Sequence, residues 1–293
     1  MTQSAPQEQY LAPVDLEQAL AYLQRSAGEV TILAGGTDLM PQLQSGRLQP
    51  KHTLMNIRRV AGLKGVRLEG DAVHIGALTT IAELMDDPLV RHHLPLLVEA
   101  GDHFASSQVR NAATLGGNIC NASPAGDTLV PLLVLGATAE LARLADGKVS
   151  VRSLPLDEFF VGPGKTSRVP DELLLGVRIA LPPEHFSARF FKFGTRPALD
   201  IATISIGIGG VLKDGVMSGV RVAFGAVAAT PVRAPRTEAA LEGKRLDQTT
   251  IAAAALAARN EVNPIDDVRA SAWYRKELIH NMTKRMLSHV AKA

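Results

Sequence analysis

Residues 33–40 read LAGGTDLM and residues 114–127 read TLGGNICNASPAGD, and these two glycine-paired stretches are where the fold declares itself. In the first, Gly35 and Gly36 stand between a β-branched run (EVTILA, residues 29–34) and a short helical stretch over residues 39–44. Glycine tolerates positive φ and lets backbone N–H groups approach an anion with no Cβ in the way. Successive N–H groups in such a turn form an anion-binding nest, reinforced by the N-terminus of the helix that follows. Thr37 or Asp38 serves equally as a helix N-cap, so an ordinary strand-turn-helix also accounts for this stretch. In the second, Gly116 and Gly117 are flanked by Thr114, Asn118 and Ser123, all able to hydrogen-bond, and Asp127 suits a ribose hydroxyl. A surface loop or bulge is the plainer alternative there, and Asp127 could equally cap an apolar helix over residues 129–135. Two such loops in different subdomains point to a diphosphate lying between them, because that ligand uses both.

Outward from these loops the chain reads as alternating short elements. Residues 16–24 (LEQALAYLQ) predict a helix with Leu16, Ala19, Leu20 and Leu23 on one face, and residues 53–57 (TLMNI) a buried strand. Residues 1–57 thus form a first compact unit. Over residues 58–183 we expect a strand at 73–77, helices opening at 81 and spanning 94–104, the second glycine stretch, a hairpin turning at Ala145-Asp146-Gly147, and a strand at 173–181 ended by Pro182 and Pro183. Beyond residue 184 three strands are expected (190–193, 202–212, 219–228), with a turn at Lys213-Asp214-Gly215. An alanine-rich helix follows at 251–259, and a last helix over about 271–290 carries Ile279, Met282, Met286 and Val290 on one stripe. Strands followed by helices predict a separate α+β unit over 184–293.

Composition removes several function classes. The 293 residues carry 31 basic and 29 acidic side chains, a formal charge of +2, which is no footprint for nucleic acid. No apolar run reaches the roughly 18 residues of a membrane helix. The N-terminal stretch MTQSAPQEQYLAPV has neither a basic start nor an apolar core, so a cytoplasmic protein is expected. The single cysteine, Cys120, excludes an intramolecular disulfide and fits a reducing compartment. It also excludes an iron–sulfur cluster held by this chain alone, since such clusters take four cysteines. The eight histidines show neither H-E-x-x-H nor zinc spacing, so no metal site is expected. Two further glycine patterns fail on inspection. GPGKT (residues 162–166) ends like a phosphate-binding P-loop, but the required first glycine falls at Phe159; GIGG (residues 207–210) opens like a dinucleotide fingerprint, but its sixth position is Leu212.

The run LAGGTDLMPQL, the stretch ASSQVRNAATLGGNICNASPAGDTLVPLLVLGA, the later GPGKT and KFGTRPALDIA resemble the FAD subunit of the xanthine dehydrogenase and carbon monoxide dehydrogenase family. GVRVAFGAVAATPVRA and DDVRASAWYRKELI resemble that family's last domain, and the motifs occur in the family's order from about Tyr10 to Leu287. The resemblance implies an α+β fold of the vanillyl-alcohol-oxidase (PCMH) type, with FAD between two α+β subdomains, followed by a C-terminal α+β domain of a three-stranded sheet plus helices. Carried over residue by residue, Ile32, Leu33, Ala34, Gly35, Gly36, Thr37, Asp38 and Leu39 match the first pyrophosphate loop, and Thr114, Leu115, Gly116, Gly117 and Asn118 the second. Phe104 falls where an aromatic packs on the adenine side, Asp127 at the acidic residue near the ribose, Leu174 at an apolar neighbour of the ring system, and Lys192 at a lysine beside the flavin. Arg196 and Asp200 match the family's R…D-I-A segment, on a second layer or the acceptor side. From the residues alone, Phe104 and Leu174 are ordinary core, Lys192 a strand lysine that snorkels, and Cys120 a small buried hydrophobe.

The resemblance further implies a heteromeric molybdenum hydroxylase. A large subunit with a molybdenum cofactor oxidises substrate, a small subunit with two [2Fe–2S] clusters relays electrons, and the FAD of this subunit passes them to an external acceptor; a dimer of heterotrimers is one arrangement. Gly35, Gly36, Gly116 and Gly117 would offer backbone donors to the pyrophosphate, and Lys192 would stabilise reduced flavin by its charge. No acid, base or nucleophile is evident, so no catalytic residue is assigned. Some relatives carry an extra cluster on this subunit, which one cysteine cannot support, and the first loop lacks the histidine that tethers FAD elsewhere, so non-covalent FAD is expected. Two other readings stay open. A stand-alone flavin oxidoreductase of related fold would turn over by itself, and a redox-inactive nucleotide-binding or assembly protein would be colourless.

Overall fold

The computed structural model describes residues 9–26, 28–49, 51–196 and 198–291. The first layer is a three-stranded sheet, all parallel, in the order β1 (Gln9–Leu11), β3 (Thr53–Asn56), β2 (Val30–Leu33), with α1 (Leu16–Arg25) and α2 (Leu39–Gln44) as its connections. The amphipathic spacing of α1 is used as expected. Ala19, Leu20 and Leu23 are buried, and Asp15 caps the helix by accepting the N–H of Gln18. Their core is shared, because Val60, Leu63, Leu78, Ala142 and Leu173 from the next unit complete it. β1 was not legible in the sequence, being an exposed three-residue strand.

The second sheet has five antiparallel strands in the order β4 (Val66–Glu69), β5 (Ala72–Gly76), β10 (Leu173–Ala180), β6 (Thr138–Ala145), β7 (Lys148–Pro155). Asp146 and Gly147 both take positive φ at the β6–β7 turn, as an Asp-Gly hairpin requires. Between β5 and β6 run α3 (Ile81–Asp86), α4 (Pro88–His93), α5 (Pro95–Asp102), α6 (Ser107–Arg110), α7 (Leu115–Asn121) and α8 (Leu129–Val134), and between β7 and β10 lie α9 (Leu156–Phe159) and the small hairpin of β8 (Phe160–Gly162) and β9 (Lys165–Thr166). The start of α3 carries a full capping box: Thr80 accepts the N–H of Glu83 and Glu83 accepts the N–H of Thr80. Thr80→Ala is expected to lower stability by about 1 kcal/mol, seen as a shifted denaturant midpoint at unchanged slope.

The third sheet joins β11 (Phe186–Phe193), β12 (Ile204–Lys213) and β13 (Val216–Gly225) antiparallel, the three long strands expected. Two two-residue strands, β14 (Val232–Arg233) and β15 (Lys244–Arg245), add to β13 and had no sequence signal, being too short for alternation to register. Strand β12 is buried on both faces for a visible reason. Ile204, Ile206 and Ile208 pack under α10 (Pro235–Leu241), α11 (Gln248–Glu261) and α12 (Ala272–Val290), while Gly207 and Gly209 let Val130 and Val134 of α8 close on the opposite face. Gly207 and Gly209, two of the glycines that imitate a dinucleotide fingerprint, are therefore contact points between sheet and helix. On α12, Ile279, Met286 and Val290 are buried on the expected stripe and Met282 packs beside them. Among the described residues no helix is long and apolar enough to cross a membrane.

Candidate functional site

The two glycine stretches meet. Both line one cleft of about 430 Å³ between the β2–α2 turn of the first sheet and α7 and β10 of the second unit. The contact between them is tight: a Cβ built on Gly35 would lie 2.0 Å from the carbonyl oxygen of Ala112, two residues before Thr114. Across the same seam the Asn121 side-chain amide donates to Asp38 Oδ2 at 3.2 Å. Asp38 occupies the N-cap position of α2 but makes no capping bond, so its carboxylate serves the seam and not the helix.

The first stretch leaves its backbone donors unpaired. Gly36 takes φ +77°, a region open to glycine at no steric cost. Among the described residues, the backbone N–H groups of Gly35, Gly36, Thr37, Asp38 and Leu39 have no hydrogen-bond acceptor, although those of Met40 and Gln42 are taken by Gly36 and Asp38. A row of unengaged N–H groups at the foot of a helix is a site for anionic oxygens. Ile32, Ala34, Gly35, Gly36, Thr37, Asp38 and Leu39 all line the cleft; Leu33 does not.

The second stretch differs from its expected form. Residues 115–121 are helical, with Thr114 as N-cap accepting the Gly117 N–H at 3.0 Å. The Gly116 N–H donates to the Ala77 carbonyl at 2.8 Å and that of Leu115 to Thr79. Gly116 and Gly117 therefore do not present free backbone donors, which corrects the expected symmetry of the two loops. What this side offers is the Thr114 hydroxyl and Asn118, whose Oδ1 accepts from Thr128 at 2.7 Å and whose amide nitrogen has no acceptor among the described residues. Leu115 is fully buried core and does not line the cleft.

Phe104 and Leu174 line the cleft while being almost fully buried. The backbone at Phe104 is fixed by Arg110, which donates to the Phe104 carbonyl at 2.9 Å and to that of Ala105 at 3.1 Å. Asp127 and Lys192 are placed differently from expectation: neither lines the cleft, and they form an ion pair at 2.8 Å with side chains 13% and 6% exposed. Lys192 also donates to the His103 carbonyl at 2.9 Å, which puts the pair one residue from Phe104. Burial raises the Asp127 carboxyl above its ordinary range, against the pull of Lys192. Asp127 does not cap α8, whose N-cap position is Thr128. Arg196 and Asp200 sit with Lys192 around a small polar pocket of about 70 Å³. There Asp200 accepts from the Thr195 hydroxyl, the backbone of Thr195, Arg196 and Ile201, and its carboxyl is held at about 2.

Cys120 lines the cleft, and burial pushes its thiol up to about 11, so it stays protonated. Residues without an assigned site role that also line the cleft include Gln42, Asn121, Gly164, Thr166 and Arg168, beside apolar side chains such as Ile57, Leu78 and Leu173. Gly164 and Thr166 belong to GPGKT, which the sequence marked only as a failed P-loop and a resemblance motif, while Arg168 had no pattern of its own. Among the described residues no cluster of metal-ligating side chains is found.

Comparison with known proteins bears on this geometry. A family model described as the FAD binding domain in molybdopterin dehydrogenase matches residues 5–182, and one described as the CO dehydrogenase flavoprotein C-terminal domain matches residues 189–290. The chain is 36% identical over 267 residues to a putative xanthine dehydrogenase FAD-binding subunit of Escherichia coli, covering 90% of each. It is 32% identical to the carbon monoxide dehydrogenase medium chain of Hydrogenophaga pseudoflava, over 97% of this chain and 96% of that one. Among solved structures, carbon monoxide dehydrogenase from H. pseudoflava superposes with a TM-score of 0.90 at 32% identity, covering 97% of this chain and 96% of that one. Quinoline 2-oxidoreductase from Pseudomonas putida superposes at 0.89 and 29% identity, over 100% of this chain and 99% of that one.

Proposed function

The chain belongs to the family of FAD-binding subunits of xanthine dehydrogenase and carbon monoxide dehydrogenase type, and on that premise we propose that its FAD lies non-covalently in the cleft between the two glycine stretches, is fed by [2Fe–2S] clusters of a partner subunit, and delivers electrons to an external acceptor. It is the flavoprotein component of an oxidoreductase, with the α+β fold of the medium subunits. The observation that carries the cleft assignment is the row of N–H groups from Gly35 to Leu39 that have no acceptor among the described residues, lining the same cleft as Thr114 and Asn118. Those donors suit the two charges of a diphosphate, and the tight approach of Gly35 to Ala112 leaves the nest no room for a side chain.

Bound FAD supplies the electron-carrying chemistry; the chain's own residues bind, orient and shield it. In this reading the nest fixes the diphosphate, Phe104 and Leu174 close the apolar walls, and the buried Lys192–Asp127 pair sets the electrostatics behind Phe104. The substrate-oxidising centre, a molybdenum cofactor on a large subunit, and the small [2Fe–2S] subunit belong to partners, in a heterotrimer or a dimer of heterotrimers in the cytoplasm. The reading also divides the chain into FAD-binding subdomains over 1–57 and 58–183 and a C-terminal domain over 184–293, which the three separate sheets support.

The test is direct. The full chain should show a flavin spectrum, and acid precipitation should leave the flavin in the supernatant with a colourless pellet. A yellow pellet would contradict non-covalent binding. A chain with no flavin spectrum even after reconstitution would sink the cofactor site itself.

A further inference from the structure

The cleft wall carries one feature that its glycines do not explain. Among the described residues that line it, Arg168 is the only cationic side chain. It is half-buried and, among the described residues, has no carboxylate within ion-pair distance, unlike Arg152 beside it, which is paired with Glu172. Its placement is nonetheless fixed. Nη1 donates to the backbone carbonyls of Glu172 at 2.7 Å and Val169 at 3.1 Å. That short segment is itself pinned, because the Glu172 carboxylate is 2% exposed and receives both Arg152 and the Val169 N–H. Nε and Nη2 are left with no acceptor among the described residues. A guanidinium that is anchored on one edge and free on the other is pre-organised for an anionic oxygen.

Resting on the reading of the cleft as an FAD site, we propose that Arg168 is a cofactor-binding residue whose free guanidinium edge takes an anionic oxygen of the FAD diphosphate. The chemistry is complementary. The nest from Gly35 to Leu39 offers neutral donors and partial charge only, and Asp38, the acidic residue on the cleft among the described residues, opposes a diphosphate. Arg168 supplies the full positive charge that the cleft otherwise lacks.

The test measures FAD affinity by flavin fluorescence on the deflavinated full chain, for wild type, Arg168→Met, Arg168→Gln and Arg168→Lys, at low and high salt. The proposal expects about tenfold weaker FAD binding in the Met and Gln variants, a shallower dependence on salt than wild type, partial recovery in the Lys variant, and an unchanged melting midpoint of the FAD-free chain. Unchanged affinity and salt dependence overturn the proposal while leaving the cleft assignment intact. Loss of affinity together with a lowered FAD-free midpoint in both Met and Gln variants, or failure of both to fold, overturns it in favour of a purely structural arginine. A wild-type chain that binds no FAD overturns the proposal and the cleft assignment together.

Discussion

Gly35→Ala is expected to leave the protein folded in most of its structure but without flavin. The added methyl would sit 2.0 Å from the Ala112 oxygen, 2.9 Å from its carbonyl carbon and 3.1 Å from Ala113 Cα. All three are backbone atoms that cannot swing aside, so the two stretches must part. Overpacking of this kind costs about 1–3 kcal/mol or more, and here the strain falls on the seam that aligns the nest with Thr114. Separation by even an ångström misaims the N–H groups of Gly35 to Leu39, and each anionic hydrogen bond lost weakens binding by about 1.5–3 kcal/mol. FAD affinity should therefore fall by at least about a hundredfold, read by flavin fluorescence or by the flavin content of purified protein. Gly36→Ala is the informative comparison. Its Cβ would meet only side-chain atoms, Leu33 Cδ1 at 3.1 Å and Met40 Cγ at 3.3 Å, but its φ of +77° strains any side chain, which costs roughly 1–2 kcal/mol. The expected order is wild type, then Gly36→Ala, then Gly35→Ala. Gly35→Ala protein that keeps full flavin content would show that the seam is not what shapes the site.

What the sequence made legible follows from range. Local signals came through: the α1 stripe, the Asp-Gly turns of β6–β7 and β12–β13, and the strand-turn-helix around Gly35 and Gly36. The two glycine stretches, expected from their chemistry to share one ligand, line one cleft. Their roles were misjudged for a physical reason. Glycine disfavours helix by about 1 kcal/mol, so Thr114-Leu115-Gly116-Gly117 read as a loop; docking of Gly116 onto the Ala77 carbonyl outweighs that preference and spends the donors. The pairing of Asp127 with Lys192 was not legible, because its partner is 65 residues away in sequence, on β11, where no spacing rule reaches. Arg168 was invisible for the same reason, since only the β8–β9 hairpin and the Glu172 anchor bring it to the cleft. Short elements such as β1, β14 and β15 failed for lack of length, being made by pairing with longer neighbours and not by their own pattern.

Lys192→Met should destabilise the protein by about 3–5 kcal/mol at neutral pH, the range for removing one partner of a buried pair. The size follows from what is left behind. Among the described residues Asp127 Oδ1 lacks a hydrogen-bond partner, and Lys192 at 2.8 Å is the ion-pair partner of Oδ2. Without it the buried carboxyl has no ion-pair partner among the described residues. The pH dependence has a definite sign. Burial raises the native Asp127 carboxyl above its unfolded value, so the native state holds its proton more tightly. That favours the fold at pH below the unfolded value, near 3.9, and the advantage is lost as pH rises through the raised native value. Removing Lys192 takes away the opposing pull and lifts the native value further, so the variant's deficit should shrink on acidification from pH 8 towards 5. Adding Asp127→Asn to Lys192→Met removes the stranded charge and should restore most of the stability, a coupling that a double-mutant cycle on chemical denaturation would measure directly. The same charges report on the flavin. Lys192→Met leaves a net negative charge behind Phe104 and should lower the flavin potential, whereas Asp127→Asn leaves a net positive one and should raise it. Shifts of the same sign in both single variants, or a double variant no more stable than Lys192→Met, would mean that the pair does not act as a unit and that its field does not reach the cofactor.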